Sequence, residues 1–114
     1  MTGSDYQNFH VWQKSMDLVF ATYNITKQLP RSEERGLTSQ MQRATVSIPS
    51  NIAEGYRRKS TIEFKRFLHI ASGSLAELET QLIISARLYK LEVSTILNDL
   101  IVVQKMLNAL IKTL

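Results

Sequence analysis

Apolar residues recur at steps of three and four positions through four consecutive segments of this 114-residue chain. That spacing is the period of one face of an α-helix, so it predicts four amphipathic helices. We expect the helices at about residues 9–29, 32–56, 60–91 and 94–113, after an N-terminal tail of residues 1–8. No alternating segments are joined by a two-residue turn, so no strand is predicted.

The links between the predicted helices are short, near residues 29–32, 57–59 and 92–93. A short link forces consecutive helices to pack antiparallel. The predicted fold class is therefore all-α: an antiparallel up-down-up-down four-helix bundle, in one domain.

Three serines lie at predicted helix starts, where a hydroxyl can accept a free backbone N–H. Ser32 is expected to cap the second helix, after Pro30 has ended the first. Ser60 and Glu63 match a capping box, in which each side chain bonds the other residue's N–H. Ser94 is expected to cap the last helix.

The composition excludes several classes of protein. The absence of cysteine excludes disulfide frameworks and thiolate chemistry. The first residues do not follow the pattern of a secretory signal, and no apolar run approaches the roughly 20 residues of a membrane span. We therefore expect a cytoplasmic protein with no membrane partner. A net charge of +4 and a pI near 9.6 permit an anionic partner.

The last predicted helix is apolar beyond a single seam. The additional apolar residues are Leu97, Ile101, Val102, Met106 and Ile111. Two interpretations are open. The broad apolar surface either forms a wide arc facing the core of the bundle or forms an interface between subunits.

No catalytic centre is recognisable in the sequence. His10 and His69 do not follow a glutamate by three residues, so the Glu-x-x-His pattern of di-iron bundles is absent. Glycine-rich phosphate loops and the Gly-x-Ser-x-Gly elbow are absent as well. We predict a protein that is not an enzyme and has no metal site and no cofactor.

A proline interrupts the second predicted helix. Pro49 cannot donate to the carbonyl of Thr45, at a cost of about 3 kcal/mol in a helix interior. Small polar residues surround it, and a similar stripe on the third helix is accompanied by Gly73, which leaves room for a neighbour. We expect the two stripes to meet in a structural polar network with glutamates as acceptors, and the alternative is a partly exposed polar flank. The network would comprise Arg43, Ser47, Ser50, Asn51, Glu54, Ser74 and Glu77.

Basic residues are concentrated around the predicted turn between the second and third helices. Five cations lie within ten residues that contain one acid, Glu63. Such a patch suits phosphate contacts, and Tyr56 could stack on an exposed base. The alternative is a solvated basic loop. The candidate nucleic-acid-binding residues are Arg57, Arg58, Lys59, Lys65 and Arg66.

Two long motifs carry a family resemblance. The motifs are SIPSNIAEGYRRKS at residues 47–60 and EFKRFLHIASGSLAELETQL at residues 63–82. Their order and separation resemble those of a bacterial four-helix-bundle family named for intervening sequences in 23S ribosomal RNA genes. The resemblance begins around Phe9 and weakens in the last helix.

The resemblance implies a short up-down bundle that assembles into a ring-like homopentamer. A relative of this family, the accessory variability determinant of diversity-generating retroelements, is a basic bundle that binds a reverse transcriptase and nucleic acid. Carried over by position, the basic surface would comprise the five cations named above. The expected function is therefore an oligomeric bundle that binds RNA or DNA, as accessory to a nucleic-acid enzyme such as a reverse transcriptase. The alternative is a protein-interaction or scaffold module that binds no nucleic acid.

Overall fold

The structure, a computed structural model, describes residues 6–114, and all regular structure in that range is helical. The four main helices are α1 (His10–Thr26), α2 (Leu37–Arg57), α3 (Thr61–Tyr89) and α4 (Ser94–Lys112). Short 3-10 helices span Tyr6–Asn8 and Arg31–Glu33. The predicted all-α four-helix bundle is confirmed. No helix within the described range is long and apolar enough to cross a membrane.

Hydrogen bonds between side chains join the first three helices and show the relative direction of α2 and α3. The Thr22 hydroxyl on α1 bonds that of Thr45 on α2 at 3.2 Å. The Ser85 hydroxyl on α3 bonds the sulfur of Met41 at 3.4 Å, and farther along α2 Ser47 bonds Ser74 at 2.9 Å. Residue numbers rise on α2 while they fall on α3, so these helices are antiparallel, as an up-down-up-down bundle requires.

One apolar core runs along the bundle and contains residues from all four helices. Each helix packs against its neighbours in sequence, and α1 also packs against α4. With 29 residues, α3 is about 43 Å long. This length matches the long axis of the bundle, 43 Å, so α3 spans the whole molecule.

The start of α2 differs from the prediction. The helix begins at Leu37, and Ser32 lies exposed in a 3-10 turn, so its expected capping role was wrong. The carboxylate of Glu33 takes that role: its Oε1 accepts the Leu37 N–H at 3.2 Å. Its other oxygen, Oε2, accepts the Tyr89 hydroxyl at 2.5 Å. A serine side chain is too short to bond both groups.

The other two predicted caps have different outcomes. The Ser60 hydroxyl accepts the Glu63 N–H at 3.3 Å, so Ser60 caps α3. Glu63 directs its carboxylate to Arg66, and only one half of the capping box forms. Ser94 is already the first residue of α4, so its predicted cap was wrong. Glu92 replaces it, because its Oε1 accepts the Ser94 N–H at 2.9 Å.

The glycine that permits close packing is Gly55, and the role expected for Gly73 was wrong. A Cβ on Gly73 would meet nothing within 4 Å, because this residue faces solvent. A Cβ on Gly55 would lie 2.5 Å from the Cβ of Phe67. The close approach of α2 and α3 therefore occurs beside the basic turn.

The N-terminal segment and α4 can be compared with the predicted tail and the predicted broad apolar surface. Of the predicted tail, residues 1–5 lie outside the described residues, and Tyr6 packs edge-on against Trp12 at 5.5 Å between ring centroids. On α4, three of the additional apolar residues pack partly against the core, while Ile101 and Val102 are 40% and 45% exposed. The broad surface is thus mainly a core-facing arc with an exposed apolar edge.

Candidate nucleic-acid interface

The turn between α2 and α3 is held in one tight conformation. Arg57 is the last residue of α2, and Arg58 is its C-cap. Lys59 has a left-handed backbone with φ of 55°, and its N–H donates to the carbonyl of Tyr56 at 3.3 Å. Ser60 then starts α3. Three consecutive cations are thereby placed at one end of the bundle. We call this group, with Lys65 and Arg66, the basic turn.

The ring of Phe67 brings two of these cations together. The guanidinium carbon of Arg58 lies 5.1 Å from the ring centroid, and that of Arg66 lies 4.6 Å away. Both distances allow cation–π attraction. Phe67 itself is buried, with 6% of its surface exposed, because it packs on Gly55. The ring is therefore a fixed platform for two guanidinium groups from different helices.

Each of these arginines also bonds a carboxylate. Arg58 donates to Glu54 at 3.0 Å, and Arg66 donates through two nitrogens to Glu63 at 3.1 and 3.2 Å. The hydrogen bond from Arg66 lowers the pKa of Glu63, and Glu63 in turn raises the pKa of Arg66. Both pairs are exposed to solvent, so they add little to stability and can be exchanged for another anion.

The other three candidates have different surroundings. The guanidinium of Arg57 lies 5.4 Å from the ring of Tyr6, away from the Phe67 platform. Lys59 and Lys65 are exposed and make no ion pair within residues 6–114. Lys65 precedes Arg66 by one residue, so it projects about 100° away from it around α3. The basic turn thus presents cations in several directions.

The charge of the chain is concentrated here. Residues 54–66 contain five cations and two carboxylates, which leaves a net charge of +3 out of +4 for the whole chain. The remaining residues are therefore close to neutral in sum. A concentrated positive field at one end of an elongated molecule attracts polyanions to that end.

Tyr56 packs against other aromatic rings of the protein, whereas the sequence suggested that it could stack on an exposed base. Its ring lies edge-on to Phe9 at 5.0 Å and to Phe64 at 5.7 Å, and the residue is only half-buried. This aromatic cluster supports the end of the bundle beneath the basic turn. The platform residue, Phe67, was missed in the sequence because it lies at the flank of the apolar seam of α3. In the sequence, the adjacent Arg66 was the feature that could have indicated a role for Phe67.

The two polar stripes meet at one point. Ser47 and Ser74 share a hydrogen bond of 2.9 Å, and the Asn51 amide donates to the Ser47 carbonyl and hydroxyl at 2.7 and 2.8 Å. Ser50 is exposed and lines a different groove, beside α1. Glu54 bonds Arg58 and does not act as the expected acceptor in the network.

Arg43 and Glu77 are exposed at opposite sides of a cavity of about 460 Å³ between α2 and α3, which we call the α2–α3 groove. No hydrogen bond joins them within the described residues. The stripes therefore form a partly exposed flank with a short hydrogen-bonded segment, and the larger buried network was wrong.

An exposed apolar surface covers the opposite side of α2, where it meets α1. Its most exposed residues are Phe20 (64%), Val46 (42%) and Tyr23 (38%). Val46 lines a groove of about 320 Å³ between α1 and α2 together with Trp12 and Met16, and it lines the neighbouring groove together with Tyr23. Phe20 lies one helical turn after Met16 on α1. We call these five residues the α1–α2 apolar surface. Isolated apolar residues are ordinary on a protein surface, but a contiguous group indicates an interaction site.

Comparisons with known proteins agree with the sequence motifs. A family model described as 23S rRNA-intervening sequence protein matches residues 7–109. The chain belongs to this family. The match covers all of α1, α2 and α3 and most of α4, so the resemblance inferred from residues 47–60 and 63–82 is confirmed.

A solved structure shares the fold. It is the crystal structure of a protein of unknown function from the S23 ribosomal protein family of Bacteroides thetaiotaomicron. The TM-score is 0.80 at 28% sequence identity, over 90% of this chain and 98% of that chain. No curated protein sequence matches at a significant level. In residues 6–114, no group of three or more His, Asp or Glu side chains is arranged to hold a metal.

Proposed function

We propose that this chain is a non-enzymatic bundle that binds RNA or DNA through the basic turn. The observation that carries the proposal is the pairing of Arg58 and Arg66 on the ring of Phe67, at 5.1 and 4.6 Å. A guanidinium held against a ring keeps N–H groups at its edge for a phosphate. It also loses less conformational freedom on binding than an unconstrained side chain does.

The electrostatics support contacts to phosphate more than contacts to bases. The exposed carboxylates of Glu54 and Glu63 can be displaced by phosphate oxygens, while Lys59 and Lys65 have no carboxylate to lose. Such contacts hold a strand without reading its sequence, and their strength depends on salt. By family resemblance, the bundle would serve as accessory to a nucleic-acid enzyme such as a reverse transcriptase.

The proposal is tested by fluorescence anisotropy with three labelled nucleic acids: single-stranded RNA and single-stranded DNA of about 20 nucleotides, and duplex DNA of about 20 base pairs. Binding is expected at low salt, and log K should fall linearly with log salt concentration. The double variant Lys59→Gln/Lys65→Gln removes two cations that hold no ion pair in the described residues, so the fold should be unaffected. For a single strand, the slope of log K against log salt concentration should be shallower by about 1.4 in this variant.

The matched control is Lys27→Gln/Lys90→Gln, which removes the same charge from the opposite end of the bundle. Its slope should equal that of the unmodified protein. No binding at low salt, or an equal loss in both double variants, would reject the basic turn as the site. The first of these results would favour the alternative function, a protein-interaction or scaffold module.

We further propose that the protein is a homo-oligomer, a pentamer by family resemblance, formed through the α1–α2 apolar surface. The support is the exposure of Phe20, Tyr23 and Val46 on two adjacent helices, where Tyr23 and Val46 line the same groove. A second copy of the chain would remove these apolar groups from water. Each copy would add another basic turn to the assembly, and the combined positive field would be stronger than that of a single chain.

Light scattering coupled to gel filtration measures the mass of the assembly. The double variant Phe20→Glu/Val46→Glu should reduce it to one chain, because two charges would be buried unpaired at the interface. Ile62→Glu is the control, since Ile62 is 81% exposed but lies at the start of α3, outside this surface. A mass of one chain for the unmodified protein would contradict the oligomer.

A further inference from the structure

The α2–α3 groove contains charged groups that the fold does not use. Arg35 and Arg43 line it from the α2 side, and Glu77 lines it from α3. None of the three makes an ion pair or hydrogen bond within residues 6–114. A cavity of about 460 Å³ is within the range of small-molecule sites. The groove therefore presents guanidinium donors and one carboxylate acceptor to a molecule from outside.

Small side chains in the groove leave the charged groups of Arg35, Arg43 and Glu77 accessible to another molecule. Ser39, Arg43 and Ser47 follow one another at steps of four residues, so they lie along one stripe of α2 about 6 Å apart. The floor contains Ala44, which is buried, and one end is closed by the Ser47–Ser74 hydrogen bond. No long aliphatic side chain lines the groove, and hydroxyls line both of its sides.

The charges define the chemistry of the ligand. Two guanidinium groups attract an anion, and arginine pairs well with phosphate. A carboxylate has only acceptor oxygens, so a ligand that bonds Glu77 presents an N–H or O–H donor to it. A nucleotide with an exocyclic amino group satisfies both conditions, because its phosphate accepts and its base donates. Acidic side chains accept in this way from the N4 amino group of cytosine.

We propose that the α2–α3 groove binds one nucleotide whose base carries an exocyclic amino group, with its phosphate on Arg43 and its base amino group on Glu77. The proposal rests on the proposed function for the choice of a nucleotide. It goes further, because it gives the bundle a preference among bases. Arg43 also lines the neighbouring groove that contains Tyr23, so it stands between two depressions that a single strand could follow.

The test compares fluorescently labelled eight-nucleotide RNA oligomers of cytidine and of uridine at low salt. The unmodified protein should bind oligocytidine at least about fivefold more tightly, since uracil presents a carbonyl where cytosine presents the amino group. In Glu77→Gln this preference should disappear, because a glutamine amide can either donate or accept. Arg43→Gln should weaken both oligomers and reduce the salt slope by about 0.7.

Matched controls separate the groove from general charge effects. Glu79→Gln makes the same change two residues away, about 200° around α3 and outside the groove, and should keep the preference. Arg87→Gln controls for Arg43→Gln at an exposed position outside the groove.

The outcomes distinguish this inference from the function on which it rests. Equal binding of both oligomers, or a preference that survives Glu77→Gln, would overturn the groove as a base site. If binding still weakened in Lys59→Gln/Lys65→Gln, the basic turn would stand by itself. If no oligomer bound at low salt, both proposals would fall together.

Discussion

The hydroxyl of Tyr89, at the end of α3, donates to the carboxylate of Glu33, in the loop before α2, at 2.5 Å. The two residues are 56 positions apart in the chain. The same carboxylate accepts the Leu37 N–H at 3.2 Å and so caps α2. One acidic side chain thus starts α2 and fixes the preceding loop to the C-terminal end of α3. The hydrogen bond from Tyr89 is the main cause of the lowered pKa of Glu33.

We expect Tyr89→Phe to lower the melting temperature by an amount that depends on pH. The pKa of Glu33 is lower in the folded protein than its ordinary value of 4.5, so the stability that its charge provides is lost as pH falls through the folded pKa. The pKa of Tyr89 is raised above 10.0 by Glu33, so its contribution is lost as pH rises through that raised value. The difference between the two proteins should be largest between these limits.

Thermal unfolding followed by circular dichroism from pH 3 to pH 11 measures this difference. Tyr23→Phe is the control, because its ring is partly exposed and its hydroxyl has no hydrogen-bond partner in residues 6–114. That variant should follow the unmodified protein at every pH. A constant difference for Tyr89→Phe across the range would show that the hydrogen bond does not depend on the charge of Glu33.

The two helical glycines should respond in opposite directions to substitution by alanine. Gly55→Ala would place a Cβ 2.5 Å from that of Phe67, and the resulting displacement should cost about 1–3 kcal/mol of unfolding free energy. Gly73→Ala meets nothing within 4 Å, so it should stabilise α3 by about 1 kcal/mol through helix propensity. Urea denaturation measures both. Equal effects of the two substitutions would contradict the close approach at Gly55.

Urea denaturation also distinguishes Ser60, which caps α3, from Ser32, which caps no helix. Ser60→Ala removes the acceptor of the Glu63 N–H and should cost about 1 kcal/mol of unfolding free energy. Ser32→Ala changes an exposed residue that caps no helix, so its effect should stay within about 0.5 kcal/mol. A larger loss for Ser32→Ala than for Ser60→Ala would restore the N-cap that the sequence suggested.

Gln81 offers a position where the protein can be made more stable. It is 6% exposed, and its Oε1 has no hydrogen-bond partner among the described residues. A buried polar atom without a partner is costly, so Gln81→Met should raise the unfolding free energy by about 1 kcal/mol. Gln40→Met, at an exposed position of α2, should change it by less than about 0.5 kcal/mol. A loss of stability in Gln81→Met would show that the amide is satisfied in solution.

The Ser60 cap and the four helices followed from local sequence, because periodicity and caps depend on residues a few positions apart. The acid that caps α2 could not be found in this way. Its second bond is to Tyr89, and nothing near Glu33 in the sequence indicates that partner. The same holds for the Phe67 platform. Arg66 adjoins Phe67, but Arg58 reaches the ring only because Gly55 lets α2 and α3 approach closely.

The sequence by itself determined the helices, the bundle, the family and the concentration of positive charge between α2 and α3. Each of these depends on composition or on spacing along the chain. Only the tertiary structure decided which charged groups are already paired and which face open space. Glu54 and Glu77 look alike in the sequence, yet one bonds Arg58 and the other lines a groove. That difference arises from the packing of one helix on another, which places side chains from distant parts of the chain within bonding distance.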